Sequence, residues 1–301
     1  MKALITGSAG FVGQHLAEHL SNQGDEVFCS DLSLGGPDLL DPAGINDLVS
    51  RIRPDHVYHL AGQADVKASW EDPLTTFRVN AEGTLNVLLA CQLFKVKKVL
   101  CVCAEVYGSV QKSELPITEE HKLNPSNPYA TSKSAAEILC KQMNSQNFEI
   151  MRARSFNHFG PGQKENFVAA ALTKRMLQAK QRGESEITVG NLKTIRDFTD
   201  VRDVVRAYRL ILTKGEGGNV YNICSGIGRK IQDLATALLS QIDSELNLKV
   251  DPKLHRPSDT PVLIGDYSKL QKQTGWEPRI EFDQTIKDTI ESTKALIAQN
   301  R

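Results

Sequence analysis

The sequence has no excess of either charge. Lys+Arg and Asp+Glu stand at 36 each, for a formal net charge of +0. That balance argues against nucleic acid or an anionic membrane as the main partner, although basic residues can still gather around a phosphate. No uninterrupted apolar stretch is long enough to span a bilayer, and no leader-like segment precedes Lys2-Ala3-Leu4-Ile5, where folded structure is expected to begin. A cytoplasmic protein is expected. A disulfide framework is lacking too. The six cysteines (Cys29, Cys91, Cys101, Cys103, Cys140 and Cys224) are scattered, most of them in apolar runs, as buried free thiols are. Cys101 and Cys103 form a lone Cys-x-Cys with no matching His or Cys pair, so no metal site is expected.

What is present is an ordinary globular composition, 40% hydrophobic and 24% charged over 301 residues, enough for roughly two domains. Lys2–Thr6 reads as a short buried strand running into GSAGFVG at 7–13. Val12, Leu16 and Leu20 then recur at helical spacing, and Gly24 stands where a helix C-terminal cap belongs. Glu26–Ser30 reads as a second strand, ending in Asp31. Strand, glycine turn, helix, strand, acid is the dinucleotide-binding arrangement. Its glycines let backbone approach a pyrophosphate, whose charge then faces the helix N-terminus. Asp31 can accept hydrogen bonds from an adenosine ribose and would repel a 2′-phosphate; Leu32, not an arginine, follows it. NAD(H) is therefore the expected cofactor and NADP(H) the alternative, while the plainer reading of Asp31 is a carboxylate that merely ends a strand.

The alternation continues. Asp38-Leu39-Leu40-Asp41 leads into a helix over 43–51, and 57–60 reads as a strand running into Ala61-Gly62. A helix over 84–94 and the strand Lys98–Cys103 follow. Repeated strand–helix units predict an α/β fold with a doubly wound parallel sheet. His56 and His59 read as strand-end or packing residues. In such a sheet functional groups collect beyond the carboxyl ends of strands, so Cys103 and Glu105 should face the same crevice as the cofactor.

The chemistry centres on NPYATSK at 127–133. Tyr129 and Lys133 are a helical turn apart on one face, with Pro128 suited to the first turn. A free tyrosine ionises near pH ~10, and a neighbouring ammonium favours the phenolate. Lys133 is thus expected to bring Tyr129 into a useful proton-transfer range. Tyr-x-x-x-Lys also occurs by chance on surface helices, so the pair counts only in company.

That company is a resemblance. GSAGFVG at 7–13, HLA at 59–61, EVYG at 105–108 and the Tyr129/Lys133 pair, in this order, resemble the extended short-chain dehydrogenase/reductases acting on nucleotide sugars. The likeness runs on through RSFNHFGPGQ at 154–163, VGNL at 189–192, RDFTDVRD at 196–203, VYNICSG at 220–226 and RPSD at 256–259. These later stretches are most similar to reductases of GDP-4-keto-6-deoxyhexoses, and somewhat less to GDP-mannose 4,6-dehydratases. The resemblance implies a Rossmann domain over 1–160, to which about 197–225 returns, and a smaller, discontinuous α/β substrate domain over 161–301. It implies cofactor contacts from Gly7, Gly10, Phe11, Val12, Gly13, Asp31, Leu32, Asp38, Leu39, Leu60, Ala61, Gly62, Asn80, Tyr129, Lys133 and Ser155. A GDP-sugar would meet Asn157, Asn166, Asn191, Lys193, Arg196, Arg256 and Asp259. The planar fork of arginine suits a pyrophosphate at Arg196 and Arg256; without the resemblance each reads as a surface residue. A homodimer is implied, pairing the helices at 84–94 and 129–143 in a four-helix bundle. The segment 232–239 is expected to pack on the sheet.

The implied reaction is hydride transfer to a 4-keto carbon with a proton from Tyr129, giving a GDP-deoxyhexose such as GDP-D-rhamnose. The family places a Ser or Thr where this chain has Cys103, and a thiol is a weaker donor than a hydroxyl. Slow turnover, a substitute donor, an oxidation-sensitive tuned thiol, or a merely buried strand residue are the readings open. Glu105 keeps a dehydratase in play, although Ala104 occupies the assisting place. A non-catalytic NAD-binding sensor on the same fold is the remaining alternative.

Overall fold

Ala3, Leu4 and Ile5 are shielded from solvent almost completely, and this run places the first strand at the centre of a sheet. In the computed structural model, which describes residues 1–243, 245–254 and 260–299, the strands are β1 (Lys2–Thr6), β2 (Glu26–Ser30), β3 (His56–His59), β4 (Lys98–Cys103), β5 (Glu149–Ser155), β6 (Asn157–Phe159), β7 (Glu186–Val189), β8 (Ile195–Asp200), β9 (Val220–Ile223), β10 (Gly228–Lys230) and β11 (Asn247–Val250). Six form one sheet in the order β2-β1-β3-β4-β5-β9, every pairing parallel. The order reverses between β1 and β3, which opens a crevice beyond their carboxyl ends.

Both faces of this sheet are covered. On one, Ile5, Tyr58, Leu100 and Met151 pack with Leu16 and Leu20 of the Phe11–Asn22 helix, and with Val204, Tyr208 and Ile211 of the Val201–Lys214 helix. On the other, Leu4, Val57, Val99 and Ile150 meet Val49, Val87, Leu88 and Cys140. Each such side chain removed from water contributes roughly 1.5–3 kcal/mol. Local chemistry sets the helix starts. Asp41 accepts from the Ala43 amide ahead of Pro42, and Asn127 does the same for Ala130 ahead of Pro128.

The helix expected over 84–94 spans Gly83–Leu93 but continues a longer run: Pro73–Phe77, capped by Asp72, passes through a π turn at Arg78–Glu82. A second core joins Leu172 and Met176, Leu234 and Leu238, and Ile286 and Ile290 to Val189 and Phe198. Around it lie two small sheets, β10-β8-β6 and β11-β7. The segment 232–239 belongs here. Its helix, Ile231–Ile242, packs against Val168–Arg182 and Phe282–Gln299, not on the large sheet as expected, because its apolar face finds those two helices. β8 is likewise part of a small sheet, so the chain re-enters the first core at Val204 and leaves it after β9. Leu270 and Trp276 then rejoin that first core. Among the described residues no helix is long and apolar enough to cross a membrane.

Candidate active site

The turn after β1 is pressed against the end of β3. A Cβ on Gly7, where φ is +75°, would lie 2.6 Å from the Ala61 nitrogen. One on Gly13 would lie 2.3 Å from the Gly7 carbonyl oxygen. Only glycine permits this approach. Gly10 caps the Phe11–Asn22 helix without a side-chain hydrogen bond, so the helix start, with Phe11 and Val12, presents amide N–H groups to the crevice. Asp31 accepts from the Ser33 amide at 2.9 Å and hydroxyl at 2.7 Å through one oxygen, and from the Ala9 amide at 3.2 Å through the other. Burial pushes its carboxyl up, but the hydrogen bonds from Ser33 and Ala9, with the charge of Lys164, outweigh this and hold it low. Leu32 is exposed, Asp38 accepts from the Leu40 amide, and Leu39 is buried against Gly83.

Two buried polar atoms along this wall, Ser8 Oγ and Gln63 Oε1, have no hydrogen-bond partner among the described residues. Unpaired buried polar atoms are expensive. With the glycine turn and the carboxylate of Asp31, they fit a dinucleotide laid across the crevice.

Asn80, raised by the π turn, accepts from the Gln63 amide at 2.8 Å and donates to the Gln63 carbonyl and to Ser132 Oγ. Its amide thus ties the Leu60-Ala61-Gly62 exit of β3 to the helix that bears Tyr129. A Cβ on Gly62 would stand 3.3 Å from Lys133 Nζ, which puts the ammonium beside that exit. His59 lies underneath, shared between Thr6 Oγ1 at 2.8 Å and Thr84 Oγ1 at 3.0 Å. Burial, helped by Lys133, pushes it down to about 3, so it is a neutral packing residue.

Tyr129 and Lys133 are both buried in the Pro128–Met143 helix. Burial pushes the Tyr129 phenol up, and the charge of Glu105 pushes the same way. The expectation that Lys133 draws the phenol down is not met: burial pushes the phenol up, and the same burial lowers the pKa of the lysine ammonium. The phenol is therefore held as an acid. Cys103, 1% exposed, packs with Val106, Tyr107 and Ile117. Burial, then Glu137 and Cys140, push its thiol well up against the pull of Lys133 and Arg154. The tuned-thiolate reading is overturned; the group is a neutral S–H.

Glu105 is exposed and stands at φ +58°, a left-handed conformation that is strained for a side chain with a Cβ by about 1–3 kcal/mol. Its Oε2 accepts from Asn127 Nδ2 at 3.2 Å. Sequence reasoning missed that link. It also missed the buried brace below, where Arg154 grips Glu137 through Nε at 2.9 Å and donates to Tyr107 Oη at 2.8 Å. Tyr107 passes the bond on to Asn222, tying β4, β5 and β9 to the active-site helix. The N-cap signature Asn127-Pro128 could have revealed the first; no local pattern reveals the second.

The residues expected to meet the sugar nucleotide are spread more widely. Ser155 Oγ bonds Tyr208 Oη at 2.8 Å. Asn157 begins β6 and sits opposite Phe198 of β8, the strand that carries Arg196. Arg196 donates to the carbonyls of Ile195 and Thr260. Asn191 accepts from the Lys193 amide at 3.0 Å, Lys193 is exposed, and Asn166 is exposed ahead of the Val168–Arg182 helix. Arg256 and Asp259 lie outside the described residues. Among the described residues no His, Cys, Asp or Glu group could hold a metal ion.

Comparison with known proteins gives the same picture. The family model of GDP-mannose 4,6 dehydratase matches residues 4–289. The chain is 37% identical over 305 residues to the GDP-6-deoxy-D-mannose reductase of Pseudomonas aeruginosa, covering 99% of each protein. Among solved structures it is similar to RMD from Pseudomonas aeruginosa complexed with NADPH (TM-score 0.89, 36% identity, 98% of this chain and 100% of that one). It is also similar to the Thermus thermophilus UDP-glucose 4-epimerase complex with NAD (TM-score 0.86, 31% identity, 98% and 99% covered). The chain therefore belongs to the GDP-mannose 4,6-dehydratase family of NAD(P)-dependent, Rossmann-fold enzymes.

Proposed function

We propose that the protein reduces the 4-keto group of a GDP-4-keto-6-deoxyhexose, yielding a GDP-deoxyhexose such as GDP-D-rhamnose. The observation that carries this is Tyr129, buried one turn from Lys133 on the Pro128–Met143 helix, where burial pushes its phenol up and so favours the proton-bearing form. A reductase needs its tyrosine as an acid at the start of turnover; an enzyme that begins by oxidising a hydroxyl needs it as a base. When bound, the reduced nicotinamide supplies the hydride. Tyr129 then gives its proton to the forming alkoxide, the Cys103 thiol supplies a weak hydrogen bond to the same oxygen, and Lys133 steadies the phenolate left behind. Solvent returns the proton to Tyr129. The relative complexed with NADPH and the relative complexed with NAD leave both reduced cofactors open.

The dehydratase reading is favoured by one feature, the strained, exposed carboxylate of Glu105, close enough to Tyr129 to act on it. Membership of an enzyme family leaves the binding-only sensor without support. A homodimer belongs to the proposal, supported by Leu74 and Phe77 on Pro73–Phe77, Leu89 and Leu93 on Gly83–Leu93, and Ile138 on Pro128–Met143, all exposed apolar side chains on the helices that would pair. A cytoplasmic location belongs to it as well, supported by six free cysteines.

The test is a coupled assay with GDP-4-keto-6-deoxymannose generated in place, NADH and NADPH offered separately, and the product identified by NMR. Consumption of reduced cofactor with a deoxyhexose product is expected. Formation of the keto sugar from GDP-mannose alone, without any such consumption, would favour the dehydratase.

A further inference from the structure

Cys103, Arg154 and Asn222 stand side by side near the carboxyl ends of β4, β5 and β9, paired in register across the three neighbouring strands. Register partners point to one face of a sheet, so these three buried side chains form a row. In the turn that follows Cys103 the chain comes back to that row. Tyr107 Oη accepts from Arg154 Nη1 at 2.8 Å and donates to Asn222 Oδ1 at 2.5 Å. The guanidinium also lies over the Tyr107 ring, 4.8 Å from its centroid. Both anchors are themselves held. Arg154 grips Glu137 on the helix that bears Tyr129, and Asn222 donates through Nδ2 to the Ile117 carbonyl at 2.8 Å.

The segment from Cys103 to Tyr107 is thus a closed turn, fixed at the strand end and again at the hydroxyl. Glu105 stands within it in the left-handed conformation, at φ +58°. The Val106 carbonyl accepts from the Asn124 amide at 2.9 Å, so the chain approaching Asn127 backs the same turn. Strain of that kind persists only where the surroundings impose it. A buried hydroxyl bonded on both sides supplies such a constraint. We propose that Tyr107 is a positioning residue of the reduction: its hydroxyl clasps the turn, and so holds the Cys103 S–H at the place from which it donates to the forming alkoxide. This assignment rests on the reading of Tyr129 and Cys103 as a reducing site.

Tyr107→Phe keeps the ring and opens the clasp, and two readouts test it. In the first, alkylation of each cysteine is followed by mass spectrometry, with the buried Cys91 and Cys140 as internal controls. Cys103 should react roughly tenfold faster than in the unaltered protein, the worth of one hydrogen bond, while the controls stay within about twofold. In the second, kcat for keto-sugar reduction should fall several-fold at unchanged KM and unchanged affinity for the reduced cofactor. That fall should vanish in a Cys103→Ala background, where the turn has no donor left to place. Arg154→Lys keeps the charge beside Glu137 but not the fork that also reaches Tyr107. It should give the same selective rise at Cys103, and it decides the matter should Tyr107→Phe fail to fold. A rise shared by all three cysteines, no rise at Cys103, an unchanged kcat, or equal slowing in the Cys103→Ala background would overturn the assignment and leave the reductase reading standing. Absence of keto-sugar reduction by the unaltered protein with either cofactor would overturn both.

Discussion

Asn127 divides its amide between two parts of the candidate site: Oδ1 accepts from the Ala130 amide at 2.7 Å, and Nδ2 donates to Glu105 at 3.2 Å. One side chain thus starts the helix that carries Tyr129 and holds the carboxylate that stands near it. The two duties separate by substitution. Asn127→Ser keeps an N-cap acceptor and loses the reach to Glu105, so melting should barely move and keto-sugar reduction should stay within a few-fold. Asn127→Ala loses the cap as well and should be less stable by about 1 kcal/mol. A much larger fall in kcat for Asn127→Ser, with melting unchanged, would give the Asn127–Glu105 link a part in the reduction.

Cys103 ends β4 in a buried position, and burial pushes its thiol well up. Cys103→Ser supplies a stronger donor in nearly the same volume, so kcat should equal or exceed that of the unaltered enzyme. Cys103→Ala removes the donor and should be slower than either, by up to about a hundredfold if the bond tightens in the transition state. Loss of turnover in Cys103→Ser with folding intact would reveal a thiol-specific role.

Most of the first core was legible in the sequence because its signals are local. β1, β2 and β4 have the ends that the apolar runs indicated, and Gly24, at φ +76°, closes the first helix. The second core was less so. Nothing near residues 232–239 says whether their apolar face meets a sheet or two helices; that depends on partners some sixty residues before and fifty after. In the site, the order of motifs pointed to Tyr129 and Lys133, but the ionisation of Tyr129 did not follow from their spacing. Burial decided it, and burial is a property of the whole fold. Asn80 shows the same limit, since its amide is engaged by Gln63 and Ser132, residues distant in sequence.

His59 makes acid sensitivity predictable. Its pKa falls from 6.5 to about 3 on folding, chiefly by burial. The unfolded chain therefore binds a proton that the folded protein refuses, and stability declines as pH falls through the window from 6.5 towards about 3. His19, His56 and His158 are lowered too and add to the slope. Denaturant titrations at successive pH values should show the decline beginning below about pH 6.5, above the range in which carboxylates protonate. His59→Gln should be less stable at neutral pH yet lose less of that stability on acidification. A slope unchanged in His59→Gln would mean that the other histidines carry the effect.

Glu105 offers the sharpest division between reductase and dehydratase. A reductase of the kind proposed takes its proton from Tyr129 and asks nothing of Glu105 in the chemical step. A dehydratase needs that carboxylate to remove a proton beside the transient ketone. Glu105→Gln should therefore leave keto-sugar reduction within a few-fold, whereas it would abolish conversion of GDP-mannose if that were the reaction. Backbone strain gives an independent reading. At φ +58° a glycine is at ease, so Glu105→Gly should raise the denaturation midpoint, by about 1 kcal/mol of stability, unless the added freedom of the unfolded chain offsets it. A stabilised but slower Glu105→Gly alongside an unimpaired Glu105→Gln would show that the backbone conformation, not the charge, serves the site. If Glu105→Gln reduced the keto sugar a thousandfold more slowly, the carboxylate would have to be written into the reduction itself.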